Sequence, residues 1–263
     1  MASLSYHSNP VELIRPGING LKLNAVAFVL TLAVFIGLIV GTVILGIVAA
    51  MATPILFTAV LLAAIVASIS YLILPFYRLT LASAKQLPLT FKAAMAPDVA
   101  LSWKLFGTQL LVGVLVLVGL LVLVIPGLIL IGWYAFVPYV VLEEGLTGWS
   151  ALQRSRELVR GHLVESWGIL GLASATSIFG LIPFFGPLLT FIAGLLLIPV
   201  VALRYLELGA LKSGLTADTM KPAVSGWNYA VIVLAIIGGS VSGYHSYTVS
   251  HTQNTTIQYN NSY

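Results

Sequence analysis

The chain contains no cysteine. Disulfides, thiolate metal sites and cysteine nucleophiles are therefore excluded, and redox chemistry says nothing about the compartment. Charge is nearly as scarce: Asp, Glu, Lys and Arg make up 8% of 263 residues, where an ordinary soluble domain carries roughly a quarter. Nowhere are Lys and Arg dense and interleaved with aromatics, so no nucleic-acid partner is expected. There is no Walker loop, dinucleotide fingerprint or nucleophile elbow. The four histidines, His7, His162, His245 and His251, are scattered and read as solvated residues rather than metal ligands. No metal or cofactor is expected.

What fills the chain is apolar: 59% of residues are hydrophobic. A helical span needs ~20 apolar residues to cross ~30 Å of hydrocarbon. Residues 24–50, 54–77 and 227–244 each supply one such stretch. Residues 104–142 supply two, broken at Pro126 and Gly127, and residues 167–206 two more, broken around Pro183, Gly186 and Pro187. The chain therefore reads as all-α, a polytopic membrane helical bundle of about seven spans, six at the least. Residues 1–23 form an N-terminal segment, 24–244 the membrane domain and 245–263 a polar tail. The first apolar run is too long for a signal-peptide core and reads as an uncleaved span. The Pro/Gly breaks read as tight turns of hairpins, since proline removes a donor and glycine permits turn dihedrals. The alternative is a bent, re-entrant pair, because span four has only about 15 apolar residues after Gly127.

Charge orients the bundle. With seven spans, all twelve Lys and Arg fall on the starting side: Arg15, Lys22, Arg78, Lys85, Lys92, Lys104, Arg154, Arg156, Arg160, Arg204, Lys212 and Lys221. Basic residues resist translocation, so that side is cytoplasmic, the membrane is the cell (plasma) membrane and the C-terminus lies outside. The tail holds Asn254-Thr255-Thr256 and Asn260-Asn261-Ser262, sequon-like but more simply part of a flexible polar end. The net charge of +4 suits a surface facing anionic phospholipids of the bilayer.

The apolar hairpins repeat. Pro75, Pro138 and Pro199 each sit late in an inward-going span, and Trp103, Trp167 and Trp227 follow at 28, 29 and 28 residues. Each unit of about 60 to 64 residues is a hairpin and then a polar cytoplasmic stretch. Trp enrichment at interfaces gives a plainer account of part of this pattern. Repeats occur in transporters and in inert bundles alike.

The most specific segment runs from Gly145 to Gly161. Thr147 is placed to cap a helix and Gly161 to end it. At 100° per residue, Ala151, Leu152, Ser155, Leu158 and Val159 share one face, and Arg154, Arg156 and Arg160 lie on the rest. Trp149 sits at the border, suited to headgroup level. Such a helix is expected along the inner interface, apolar face down. Arg154, Arg156, Arg160 and Trp149 are then the candidate contacts for lipid headgroups or a partner. A plain connecting helix obeying the orientation rule would look the same.

Three stretches carry a family resemblance: Ile125-Pro126-Gly127-Leu128, Pro138 to Glu143, and Ala151-Leu152-Gln153-Arg154-Ser155 with Glu157-Leu158-Val159-Arg160-Gly161. Together they resemble the membrane domain associated with glycerophosphoryl diester phosphodiesterases and related uncharacterised bacterial multi-pass proteins. About 40 residues match closely, and about 200 by spacing. Members of that family can carry a catalytic phosphodiesterase domain after the bundle; here nineteen residues follow the last span. Relatives also tend to place a basic residue inside the fourth span, where this chain has Gly132-Trp133.

Other polar features read as structural. Glu143-Glu144 is a solvated span end, able to pair with the arginines that follow, and Glu207 near Arg204 reads likewise. Gly37-x-x-x-Gly41 and Gly239-x-x-x-Gly243 read as close helix packing, the second with some potential for a homo-oligomer. No ionisable residue lies deep inside an expected span, which counts against a proton-driven machine. The expected function is a non-enzymatic membrane scaffold that engages lipid or a protein partner. The alternative is a transporter or lipid-moving protein for an uncharged or amphipathic substrate.

Overall fold

The computed structural model describes residues 7, 9–71, 73–176, 179, 182, 185–213, 225–234 and 236. Among them every regular element is helical. A short 3-10 turn, Pro10–Leu13, leads directly into α1 (Ile14–Leu23). Then come α2 (Ala25–Ala52), α3 (Pro54–Tyr71), α4 (Ile73–Ala84), the single turn α5 (Phe91–Ala94), α6 (Val99–Val122), α7 (Val124–Tyr134) and α8 (Val137–Glu144). α9 (Trp149–Val159), α10 (Leu163–Ala175) and α11 (Gly186–Lys212) follow. Residues 226–234 are helical and pack on α10, where Gly168 and Gly171 face Asn228 and Ile232.

The surface is inverted relative to a soluble protein. Met51 is 84% exposed and Leu121 77%, whereas Arg204 is fully buried. α2 is apolar all round, so no face of it is suited to water. An exposed apolar surface of this extent marks a membrane-facing one. Among the described residues four helices are long and apolar enough to cross: Ala25–Met51, Pro54–Ala84, Val99–Val122 and Ile125–Glu144. The fifth to seventh expected spans fall partly outside the described residues. α10 has 13 described residues, a rise of about 20 Å.

The hairpin turns are shorter than the Pro/Gly breaks suggest. α2 and α3 are joined by Thr53 alone, extended at φ −155° and ψ 149°. α6 and α7 are joined by Leu123 alone, at φ −156° and ψ 134°. The Leu123 N–H donates to Gly119 O (3.0 Å), and Leu123 O accepts from the Gly127 N–H (3.3 Å). Thr53 does the same with Ala49 O (3.0 Å) and the Phe57 N–H (3.2 Å). Each turn thus satisfies its own backbone, as lipid demands.

Pro126 and Gly127 are therefore not the turn. Both lie in the first turn of α7, where the missing proline N–H would have no helical partner. Gly127 serves close approach: a Cβ there would sit 2.5 Å from Leu120 Cγ and 2.6 Å from Leu120 N on α6. Gly186 and Pro187 likewise open α11 rather than precede it, with Phe185 as N-cap. Pro183 lies outside the described residues. Pro138, by contrast, interrupts its span. α7 ends at Tyr134, four residues before it, because the proline ring excludes the carbonyl at that offset.

The polar stretches, far apart in sequence, meet in one layer around α4, α8 and α11. α1 packs on α4 and α11. Gly20 makes this possible: a Cβ there would lie 1.9 Å from Ser83 O. Buried Asn24 locks the joint between α1 and α2. Its Nδ2 donates to Ser83 Oγ (3.1 Å) and Leu87 O (3.0 Å), and its Oδ1 accepts from the Leu89 N–H (2.7 Å). Gly37 and Gly41, expected at a close packing, face open space within the chain.

Candidate functional site

α9 forms with the expected face: Ala151, Leu152, Ser155, Leu158 and Val159 are all buried. Its caps differ. Gly148, at φ 57°, is the N-cap, with no side-chain cap, and Thr147 offers only its carbonyl, to Ser150 Oγ at 2.8 Å. Gly161 ends the helix as expected, in a left-handed conformation at φ 88°.

The apolar face of α9 packs against α7, α8 and α11 rather than into lipid. Ser155 Oγ donates to Trp133 O at 2.7 Å, completing the seal. Periodicity shows that a stripe will be buried; it does not say against what.

The three arginines face outward, and two have partners. Arg154 Nε donates to both Glu144 oxygens, at 2.7 and 3.1 Å. Arg156 lies over the Trp133 ring, 4.3 Å from its centroid. The Arg160 side chain is exposed, and its carbonyl accepts from Lys212 Nζ at 3.1 Å. Trp149 is 58% exposed. The arginines are thus spread along a platform and form no single cradle. Glu143 pairs with Lys85, so both carboxylates of the acidic pair brace the layer.

Arg204 and Glu207, expected at a solvated span end, are buried, and Arg204 Nη1 lies 2.9 Å from Glu207 Oε2. His7 Nδ1 reaches the other Glu207 oxygen at 2.6 Å. The Glu207 hydrogen bond and its charge raise the His7 pKa above its ordinary value, against the opposing effects of burial and Arg204. His162, also expected in solvent, lies 3.4 Å from buried Glu165. His245 and His251 lie outside the described residues. The available signal for the buried pair was the Arg-x-x-Glu spacing, which puts both groups on one helical face.

Between node and platform runs an aromatic seam. Tyr77 of α4 meets Tyr139 of α8 edge-on at 5.8 Å, and Tyr139 stacks on Tyr205 of α11 at 5.6 Å. The three follow the repeating prolines Pro75, Pro138 and Pro199. The three proline-marked segments of the repeat thus converge on one stack. Tyr205 Oη then donates to Glu144 Oε1 at 3.4 Å, linking seam to platform. Among the described residues no group of three or more His, Asp or Glu is arranged to hold a metal ion. No family model matches the chain, and neither does any curated protein or solved structure.

Proposed function

We propose that this chain is a non-enzymatic, multi-pass scaffold of the cell membrane. Its basic layer faces the cytoplasm, where Arg154, Arg156, Arg160 and Trp149 engage anionic phospholipid headgroups or a protein partner. The tail lies outside. The observation that carries this reading is the division of the chain into an outer, charge-free, lipid-suited half and a cross-braced charged layer with outward arginines. The likeness to the phosphodiesterase-associated membrane domain belongs to the same proposal and rests on the Ile-Pro-Gly and Ala-Leu-Gln-Arg-Ser stretches. The chain itself hydrolyses no glycerophosphodiester under this reading.

The test is the combined Arg154→Ala, Arg156→Ala and Arg160→Ala variant, purified in lipid nanodiscs. Bound anionic lipid, or one recurrent co-purifying protein, is expected on the parent chain and lost on the variant. Retention of both by the variant refutes the reading.

A second reading, a transporter or lipid-moving protein, draws support from the buried Arg204–Glu207 pair, because buried ionisable groups in membrane bundles often serve transport. Flux or scrambling by the protein in liposomes, abolished by Glu207→Gln, would favour it over the scaffold.

A further inference from the structure

Two of the three α9 arginines are engaged by Glu144 and Trp133. A cation pair without such partners lies elsewhere, on α1. Among the described residues, the side chains of Arg15 and Lys22 take part in no hydrogen bond or ion pair. They sit seven residues apart, two helical turns, so both project from one side of α1 about 10 Å apart along its axis. Val11, Ile14 and Ile18 run beside them, with Asn19 at the edge, and together these six line an open groove of about 500 Å³.

The opposite side of α1 is fixed to the protein. Leu13, Gly17 and Gly20 are buried, and Gly17 and Gly20 pack against Val200 of α11 and Ser83 of α4. The groove side is thus held outward. One residue, Asn24, separates α1 from the apolar helix α2. The groove therefore lies where a membrane span meets its charged layer, at headgroup level. Its lining combines two cations with branched aliphatic side chains. That pairing matches an anionic phospholipid, phosphate between the cations and acyl chain along the isoleucines.

We propose that the groove of α1 is a binding site for one anionic phospholipid of the leaflet that α1 borders. This rests on the reading of the chain as a membrane protein, and it is independent of any role for the α9 arginines.

The experiment uses the full chain in detergent micelles, titrated with short-chain phosphatidylglycerol, with phosphatidylcholine or with inorganic phosphate, and bound species counted by native mass spectrometry. The parent chain is expected to retain phosphatidylglycerol over phosphatidylcholine. The double variant Arg15→Gln/Lys22→Gln should bind phosphatidylglycerol about thirtyfold more weakly, while Arg15→Lys keeps most of the affinity. Ile14→Ser/Ile18→Ser should weaken long-chain more than short-chain lipid. Unchanged phosphatidylglycerol binding in the double variant, with unaltered thermal unfolding, overturns the proposal. So does equal retention of inorganic phosphate. Loss of lipid only in the triple α9 variant refutes this site and leaves the proposed function standing; loss only in the α1 variant supports this site and leaves a protein partner as the occupant of the α9 surface.

Discussion

The outer hairpins and the charged layer are built from the same chain by opposite rules. In α2, α3, α6 and α7 the side chains are apolar on nearly every face, turns are a single residue, and much of the surface is open. In the layer formed by α1, α4, α8, α9 and α11, the helices bury residues against one another, α8 from Val137 to Val141 without a break, and polar groups hold the pieces together. The hairpins depend on a surrounding apolar solvent to be stable, whereas the layer supplies its own interior. Stability should therefore be concentrated in the layer, and the hairpins should tolerate change wherever they face lipid.

The largest effect is expected at Glu207. Glu207→Ala strips the buried Arg204 guanidinium of its carboxylate, and breaking a buried pair costs about 3–5 kcal/mol. Thermal unfolding in detergent measures it; a loss under 1 kcal/mol would place the pair in solvent after all. Next is the closest helix approach. Gly20→Ala forces α1 off Ser83 and should cost about 1–3 kcal/mol. Gly127→Ala tests whether the α6–α7 hairpin is held as tightly, with a similar loss expected because the added carbon meets Leu120 backbone. Gly37→Ala sharpens the contrast from the other side. Nothing lies within 4 Å of the added carbon, so the usual alanine preference in helices should leave stability unchanged or raise it by about 0.5–1 kcal/mol.

The smallest effect is the pH dependence of the His7 contact. The folded chain holds the His7 proton more tightly than the unfolded one, because Glu207 accepts its hydrogen bond. The contact therefore stabilises fully below the ordinary histidine value of 6.5 and fades as pH rises through the raised value. The melting-temperature difference between the parent and His7→Gln should be largest in acid and shrink toward alkaline pH. A difference that grew with pH would reverse the assignment.

Much of the fold was legible because hydrophobic length and helical period are one-dimensional signals. The first span, the α9 face and the Gly161 stop all come from local residue order. The turns are not legible in the sequence because Pro126 and Gly127 have two uses, as breakers and as first-turn and close-packing residues. Choosing between them needs the position of Leu120 on the neighbouring helix. The Arg204–Glu207–His7 node is not legible in local sequence, because the N-terminal segment that packs on α11 is nearly 200 residues away. The destination of the α9 apolar face is illegible for the same reason: protein and lipid reward the same stripe.

The absence of cysteine allows a direct test of the orientation on which the proposed function rests. Single cysteines at Thr53→Cys, at the tip of the first hairpin, and at Arg156→Cys, on the basic layer, can be probed in intact cells with a membrane-impermeant maleimide. Thr53→Cys is expected to be labelled from outside, and Arg156→Cys only after the membrane is permeabilised. Labelling of Arg156→Cys in intact cells, with Thr53→Cys protected, would contradict it.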